Sequence, residues 1–404
     1  MSMPVAVTGM GMLTPAGVGV TDSWAGVLSA AATGQHDPEL AGLPIDISCR
    51  AAGDPVELLG GRVARRMDRF IQFAVLAARE AVADAGLDPH SWDGTRIGVV
   101  LGSADGGPGT VETQHRVLLE QAASNVSSLL LPMQLPNMSA GQVCIDLDIT
   151  GPSLVVATAC ASGATAIGLA RDLLLLDRCD VVLAGGSEAM ITPLVMAGFA
   201  RMGALSARLD DPGGASRPFD TSRDGFVAGE GGAVLVLERE ADARARRATI
   251  RGFIAGFGAT ADAHHITSPD PSGAGCERAM RTALADAGIS PAEVNHVNAH
   301  GTSTTLNDAV EAAVIERVLG TRPLVTSTKG VTGHLLGAAG AAEAVFALLA
   351  IRDQQVPPTA NLATVEPSFG IEVADRVTPR KLEVAVSNSL GFGGQNAVLV
   401  LTGA

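Results

Sequence analysis

Cys160 is a candidate nucleophile because of the residue types on either side of it. It stands in residues 155–164 (VVATACASGA), where an apolar run gives way to small residues and then to a helical pattern. A thiol at such a strand-to-helix turn lies at the positive end of a helix dipole, which favours the thiolate and lowers the thiol pKa. Because a lone cysteine is more often a buried core thiol, Cys160 alone does not establish a site.

Two histidines stand in similar glycine- and threonine-rich loops after strand-like runs. His300 lies in residues 296–304 (HVNAHGTST), and His334 lies in residues 328–340 (TKGVTGHLLGAAG). Either histidine alone is more often a structural group than a catalyst. Together with a cysteine at the mouth of a helix, they predict an active site with one sulfur nucleophile and two imidazoles.

Other sites built from the same residue types fit the sequence less well. His296 and His300 have the spacing of a zinc-protease helix, but Val297 stands where that motif needs glutamate, so no metal site is predicted. Gly9 and Gly11 begin a dinucleotide-like loop that lacks its third glycine, and we interpret them as an ordinary strand-to-loop turn. A Cys-His-Asn protease stays open, although it would leave one histidine without a role.

The segments that carry these motifs alternate between short β-rich runs and alanine- and leucine-rich helical runs. The first series is 5–8, 70–85, 97–101, 154–157, 167–176 and 181–184, and the second is 248–254, 275–287, 297–299, 308–319, 337–352, 383–387 and 397–401. This alternation predicts an α/β fold. Two similar halves meet near residues 238–247, so we predict one domain at 1–245 with the cysteine and one at 246–404 with the histidines.

Composition excludes several classes of function. The formal net charge of -14 argues against a nucleic-acid surface, which would be basic. Five scattered cysteines without a C-x-x-C pair predict neither a disulfide framework nor a zinc site. No basic leader precedes the first strand, and the longest apolar runs are far shorter than a membrane span. We therefore expect a soluble, cytoplasmic protein without nucleic-acid or membrane partners.

The three candidate residues occur in the order and context of a known family. Cys160, His300 and His334 resemble the active-site motifs of the β-ketoacyl-acyl-carrier-protein synthases, particularly the type II enzymes of fatty-acid and polyketide synthesis. Further matching segments are 66–72 (RMDRFIQ), 180–190 (DVVLAGGSEAM), 216–220 (SRPFD), 223–227 (RDGFV) and 388–394 (NSLGFGG). The resemblance implies the thiolase fold, with two pseudo-twofold-related halves stacked in five α-β-α-β-α layers, and a dimeric enzyme.

The family's chemistry assigns roles to the matched residues. The Cys160 thiolate takes an acyl group from a carrier protein, and the backbone N–H groups of Cys160 and Phe392 form the oxyanion hole. His300 and His334 stabilise the enolate that malonyl-carrier protein forms when it loses carbon dioxide. Lys329 pairs with the glutamate matched by Glu311 and orders the site. Lys329 is one of only two lysines in an arginine-rich chain, which supports a requirement for lysine.

The resemblance also implies how substrates and partners bind. Thr302 and Thr304 match hydroxyls that hold the phosphopantetheine arm, while Phe226 and Phe392 match residues that line and gate the entrance, with core packing as the alternative for both. No metal or redox cofactor is implied. The acidic acyl carrier protein would dock on matched basic positions, which are Arg65, Arg66, Arg69 and Arg208.

Four positions depart from the fatty-acid enzymes of the family. Asn125 and Val126 stand where those enzymes usually carry a further basic pair, and Gln395 replaces the threonine of the closing motif. Asp105 falls where they place an apolar residue at the bottom of the acyl pocket. Burying a carboxylate against a saturated tail costs several kcal/mol, so we expect a polar or partner-lined floor and a polyketide-like or unsaturated acyl chain. In the alternative, Asp105 turns away and caps a loop.

These observations rank the candidate functions. The sequence predicts the active ketosynthase of a type II polyketide pathway, which includes pathways that form polyenes. The enzyme would be a homodimer or a heterodimer with a chain-length-factor-like homologue. A housekeeping fatty-acid elongation ketosynthase II is the first alternative. A non-catalytic chain-length factor would lack the cysteine nucleophile that Cys160 supplies. A degradative thiolase would need a second cysteine near the C-terminus, and none follows Cys276.

Overall fold

Strands and helices alternate through the chain as the sequence predicts. The computed structural model describes residues 4–404, so the first three residues of the predicted first domain lie outside the described residues. The strands are β1 (Val5–Thr14), β2 (Gly17–Val18), β3 (Gln35–His36), β4 (Ile47–Ser48), β5 (Ile97–Gly102), β6 (Ser153–Val156), β7 (Val181–Glu188), β8 (Gly231–Arg239), β9 (Gly252–Ala261), β10 (His296–Asn298), β11 (Leu324–Thr326), β12 (Gln355–Val356), β13 (Glu372–Val373), β14 (Thr378–Pro379), β15 (Val384–Gly391) and β16 (Gln395–Thr402).

The helices occupy the segments between these strands. They are α1 (Gly19–Leu28), α2 (Pro55–Leu59), α3 (Gly61–Ala64), α4 (Arg69–Asp84), α5 (Pro108–Glu120), α6 (Leu130–Gln134), α7 (Met138–Leu147), α8 (Ser162–Leu175), α9 (Pro193–Arg201), α10 (Glu240–Ala245), α11 (Ala274–Ala287), α12 (Thr305–Leu319), α13 (Lys329–Thr332) and α14 (Ala339–Asp353). The predicted junction near 238–247 holds the end of β8 and α10. Division of the chain into domains at 245 and 246 stays a prediction.

The main sheet has one half from each series of strands. Its order is β13-β11-β10-β15-β16-β9-β1-β8-β7-β5-β6, with β2 paired to β1. The halves meet where β1 and β9 pair antiparallel over three residues, from Val5 opposite Ile254 to Val7 opposite Gly252. Strands β6, β5 and β7 run parallel in one half, and β13, β11, β10 and β15 run parallel in the other. The carboxyl ends of parallel strands are where α/β proteins place their sites.

Helices form three layers around the two half-sheets. Helices α4 and α7 pack together on the outer side of the first half, and α11 and α12 pack together on the outer side of the second. Between the halves, α8 contacts β5 and β7 as well as β9 and β16, while α14 contacts β8 and β15. The resulting order is α-β-α-β-α.

Helix α14 explains how the central layer can be so close to both half-sheets. The helix is rich in alanine, which is the best helix former and has the smallest side chain apart from glycine. It is buried from Ala339 to Ile351. A helix that is apolar on every side must lie between layers and cannot be at the surface. One acidic residue, Glu343, interrupts this apolar surface, and it is also buried.

The interpretation of Gly9 and Gly11 as a strand-to-loop turn was wrong. Both glycines lie inside β1, where a Cβ atom would overlap the backbone carbonyls of Ala81 and Ala77 in α4. The two glycines therefore let this helix lie directly on the strand, a packing role that glycine alone can fill.

Candidate active site

The strand-to-helix turn around Cys160 is present in the structure. The chain leaves β6, passes through Ala159 in the left-handed region (φ 50°), and enters α8 at Ser162. Ser162 fixes the turn, because its Oγ donates to the carbonyl of Ala159 at 2.6 Å and accepts from the N–H of Thr158 at 2.9 Å. Cys160 thus sits immediately before the N-terminus of a fourteen-residue helix.

The expected low pKa of the Cys160 thiol was wrong. Burial is the largest influence and raises the pKa of this thiol to about 11. The Lys329 ammonium and the backbone N–H groups of Phe392 and Cys160 lower the pKa, as expected for a site that favours a thiolate, while Glu188 raises it further. Removing water from around the sulfur outweighs the favourable dipoles, so the resting group is a neutral thiol.

His300 and His334 meet in the same buried cavity. Their ring centroids are 5.2 Å apart with the planes at 83°, and each residue is 2% exposed. The Nδ1 atom of His334 accepts a hydrogen bond from the N–H of Leu336 at 3.4 Å, which leaves the proton on Nε2. Burial lowers the pKa of both imidazoles well below the usual value, and Lys329 lowers both further. Both rings are therefore neutral hydrogen-bond donors near pH 7.

The predicted pairing of Lys329 with Glu311 was wrong, because Lys329 Nζ contacts Glu343 Oε1. The carboxylate of Glu311 is already engaged by backbone N–H groups. Glu343 was missed at the sequence level, although it is the only charged residue in the apolar run 335–351. A lone acid in such a run must be buried and needs a cation, which was the available signal.

Glu311 instead holds the loop that carries His300. Its Oε1 and Oε2 atoms accept from the N–H groups of His300 and Gly301, each at 2.7 Å, and Asn388 Nδ2 donates to Oε1 at 3.0 Å. Burial raises the pKa of Glu311, while these donors lower it. The carboxylate orders the site through the backbone and leaves the histidine ring free to face the cavity.

The predicted hydroxyls and phenylalanines line the same space. Thr302 and Thr304 place their Oγ1 atoms 2.9 Å apart on the cavity wall. Phe226 packs edge-on against His334, with ring centroids 5.5 Å apart. Phe199 contacts both Phe226 and Phe392, at 5.4 and 6.5 Å between centroids, and joins them in one aromatic cluster. Sequence reasoning missed Phe199, which lies in a helical run with no distinguishing pattern.

A cavity of about 630 Å³ connects these groups. Besides Cys160 and the two histidines, it is lined by the turn after β5, by α9, by the loop between β9 and α11, and by Phe392. Asp105 lines the cavity and is exposed in the single chain. Desolvation by its neighbours raises the pKa of Asp105. No other group among residues 4–404 hydrogen-bonds to the Asp105 carboxylate, so the loop-capping alternative has no support.

The basic residues predicted for docking divide into two groups. Arg65 and Arg66 are exposed. Arg69 does not fit the prediction, because its guanidinium donates to the buried carboxylate of Glu230 at 2.6 and 2.9 Å. Arg208 is half-buried and donates to the carbonyl of Ser222 at 3.1 Å. Because Arg69 is engaged in an internal ion pair with Glu230, docking on this surface would depend mainly on Arg65 and Arg66.

Residues 4–404 offer neither a cluster of metal-binding side chains nor a membrane-spanning helix. No group of three or more histidine, cysteine, aspartate or glutamate side chains could hold a metal ion. In the same part of the chain, no helix is both long and apolar enough to cross a membrane.

Comparisons of sequence agree with this geometry. The family model described as Beta-ketoacyl synthase, N-terminal domain, matches residues 2–243, and that of the C-terminal domain matches residues 251–363. The chain is 41% identical to 3-oxoacyl-[acyl-carrier-protein] synthase 2 of Vibrio cholerae in an alignment 411 positions long, which covers 98% of both chains.

Solved structures of two ketosynthases share the fold. One is a type II polyketide ketosynthase bound to the hexaketide and in complex with its acyl carrier protein (AntDE:AntF), with a TM-score of 0.92 and 31% identity. The other is the ishigamide ketosynthase/chain length factor, with a TM-score of 0.93 and 30% identity. Each alignment covers 100% of both chains, which confirms the predicted thiolase fold.

Proposed function

The chain belongs to the β-ketoacyl synthase family of carbon–carbon bond-forming acyltransferases, and on that premise we propose that it is the active ketosynthase of a type II polyketide pathway. The observation that carries the catalytic part of the proposal is the cavity in which Cys160 faces two neutral histidines. A chain-length factor would not need this set of groups. The presence of all three favours a catalytic subunit.

The first half-reaction loads the acyl group. An acyl chain arrives on the phosphopantetheine of an acyl carrier protein, and Cys160 Sγ attacks the thioester carbonyl carbon. A new bond forms from this carbon to Sγ, the bond to the pantetheine sulfur breaks, and the pantetheine leaves as a thiol with the proton from Cys160. The N–H groups of Cys160 and Phe392, which both lie at Sγ, would stabilise the oxyanion of the tetrahedral intermediate.

The second half-reaction forms the carbon–carbon bond. Malonyl-carrier protein enters, its carboxylate leaves as carbon dioxide, and the electron pair moves onto the thioester as an enolate. Neutral His300 and His334 donate hydrogen bonds to the enolate oxygen, for which His334 has its proton on Nε2. The enolate carbon attacks the acyl carbon on Cys160, the carbon–sulfur bond breaks, and the released thiolate takes up a proton. The reaction needs no metal or redox cofactor.

Asp105 supports a polyketide substrate over a saturated fatty acid. Its carboxylate has no hydrogen-bond partner among the described residues and lines the cavity. A saturated tail against it would prevent its hydration without any compensating contact. A polar or conjugated polyketide chain, including a polyene, costs less at this position. The housekeeping ketosynthase of fatty-acid elongation is the second candidate, favoured by the relative from Vibrio cholerae.

An exposed edge of the main sheet supports assembly with a second ketosynthase-like chain. Strand β6 lies at the end of the strand order and pairs on one side only, with β5. Its Leu154 is exposed, and so are large apolar side chains of the neighbouring helices α5, α6 and α7, namely Leu119, Leu131 and Ile145. Unpaired edges with apolar surroundings favour a partner. We propose a dimer across this face, with a second copy or with a chain-length-factor-like homologue.

Mass spectrometry of the intact protein tests the catalytic proposal. Incubation with acyl-carrier protein should add the acyl mass at Cys160, and later addition of malonyl-carrier protein should remove it and yield a β-ketoacyl product. Cys160→Ala is the matched control and should show neither step. An adduct that persists in Cys160→Ala would contradict the assignment. Co-purification with a second ketosynthase-like chain would distinguish the heterodimer from the homodimer.

A further inference from the structure

Glu188 is a buried carboxylate that the proposed reaction does not use. It is the last residue of β7 and is 0% exposed. Its Oε1 accepts from Ser103 Oγ at 3.2 Å, and its Oε2 accepts from the N–H of Ala104. The N–H of Asp105 also donates to this carboxylate. Three consecutive residues therefore use one side chain as their common acceptor.

These three residues form the turn after β5, which is a wall of the catalytic cavity. Ala104 and Asp105 both line that cavity. Ser103 extends the network, because its Oγ accepts from the N–H of Gly106 at 3.1 Å while it donates to Glu188. The conformation of this wall thus depends on a group outside the cavity.

The His334 loop closes over the same contact. Gly337 follows His334 by three residues, and a Cβ there would overlap Glu188 Oε2 and lie 2.6 Å from the N–H nitrogen of Ala104. The carbonyl of Gly337 would be 3.1 Å from a Cβ at Gly163, in the helix that follows Cys160. The acyl wall and the histidine loop therefore meet at Glu188, with no room for a side chain at Gly337, and the nucleophile helix packs against the same glycine.

Glu188 and Asp105 are two acidic groups at this junction, and they repel each other when both are charged. Burial is the largest influence and raises the pKa of Glu188 to about 8, and the nearby Asp105 carboxylate raises it further. Glu188 in turn raises the pKa of Cys160. The hydrogen bonds from Ser103, Ala104 and Asp105 act in the opposite direction, because they favour the charged form of Glu188.

We propose that Glu188 is a positioning residue that fixes the acyl-binding wall at Ala104 and Asp105, and thereby determines which acyl tails the cavity accepts. The proposal rests on the proposed function, because the wall has this meaning only if Cys160 carries an acyl group. Glu188 acts through the turn, so its effect should grow with the length of the tail. The acylation rate with acyl groups too short to reach the wall should not depend on Glu188.

Acylation of Cys160 in Glu188→Gln tests this role. The substituted amide presents an N–H group where the turn needs an acceptor, which should loosen Ser103, Ala104 and Asp105. The probes are carrier proteins that bear an acetyl group, a saturated dodecanoyl group or a conjugated polyenoyl group of the same length as dodecanoyl. We expect a normal acetylation rate, with the ratio of polyenoyl to dodecanoyl acylation shifted by about tenfold toward the saturated chain. Glu238→Gln is the matched control, because Glu238 is a buried carboxylate remote from the cavity.

Three further variants make the test decisive. Ser103→Ala removes one donor without disturbing the carboxylate and should shift the same ratio in the same direction by a smaller factor. Asp105→Asn should shift it too, and the double variant Glu188→Gln/Asp105→Asn should not add the two shifts. An unchanged ratio in both Glu188→Gln and Ser103→Ala, or an equal change in Glu238→Gln, would overturn the proposal. Failure of the proposed function itself would appear separately, as a wild-type protein that is not acylated at Cys160.

Discussion

The two histidine loops reach the same cavity, but the protein holds them in different ways. His334 is fixed through its own ring, because Nδ1 accepts from the N–H of Leu336. His300 is fixed through its backbone, where Glu311 accepts from the N–H, while its Nδ1 is buried without a hydrogen-bond partner among residues 4–404. The contrast indicates that the tautomer of His334 is set directly, whereas only the position of His300 is set.

The buried carboxylates beside these loops show the same division. Glu311 accepts backbone N–H groups and so acts on geometry, while Glu343 contacts Lys329 and so balances a charge. A geometric support and an electrostatic one should fail differently when they are removed. The variants Glu343→Gln and Glu311→Gln test this difference below, after the larger effect expected from removing the His334 ring.

Removing the His334 ring should separate the two half-reactions. We expect His334→Ala to keep acylation of Cys160 close to the wild-type rate and to lose condensation by roughly 10²–10³-fold, the usual cost of one oxyanion donor. Single-turnover assays with acyl- and malonyl-carrier protein measure both steps. His300→Ala should lose less, since no ring hydrogen bond fixes its tautomer. Equal loss of acylation and condensation in His334→Ala would contradict the role.

Removing the partner of Lys329 should mainly affect stability. In Glu343→Gln, a buried ammonium loses its counter-charge, and the free energy of unfolding should fall by about 3–5 kcal/mol. Urea denaturation followed by circular dichroism measures this change. The double variant Lys329→Met/Glu343→Leu removes both charges and should recover most of the loss. If Glu343→Gln unfolds at the wild-type urea concentration, the ion pair is not balancing a buried charge.

Weakening Glu311 should mainly affect the rate. In Glu311→Gln, one N–H of the His300 loop faces the amide NH2 group, which cannot accept a hydrogen bond, so the ring is held less well. We expect condensation to fall by about tenfold, and the free energy of unfolding to fall by about 1–3 kcal/mol, less than in Glu343→Gln. Glu316→Gln is the control, because Glu316 is an exposed residue of the same helix. A purely structural Glu311 would lower stability and leave the rate per folded molecule unchanged.

The sequence predicted the elements and the candidate residues more successfully than the contacts between them. Short motifs located Cys160 at its strand-to-helix turn, because small residues after an apolar run restrict the local backbone. They did not predict that Lys329 contacts Glu343, since that contact depends on how α14 packs between the two half-sheets. Nor did they predict the raised pKa of Cys160, because a helix dipole is a local effect whereas burial depends on the whole fold.

The titration of Cys160 gives the smallest effect and shows how far the charge of Lys329 acts. Because burial raises the thiol pKa to about 11, alkylation of Cys160 by iodoacetamide should still increase with pH above about 10, where an ordinary thiol of pKa about 8.5 has levelled off. Lys329 lowers this pKa, so Lys329→Met/Glu343→Leu should raise it and slow alkylation at pH 8 by a few-fold. Peptide mass spectrometry of the Cys160 fragment separates it from the other four cysteines. A rate that levels off near pH 8.5 would show that the N–H groups at Sγ outweigh burial. An unchanged rate in the double variant would show that the charge of Lys329 acts only on Glu343 and does not affect the pKa of Cys160.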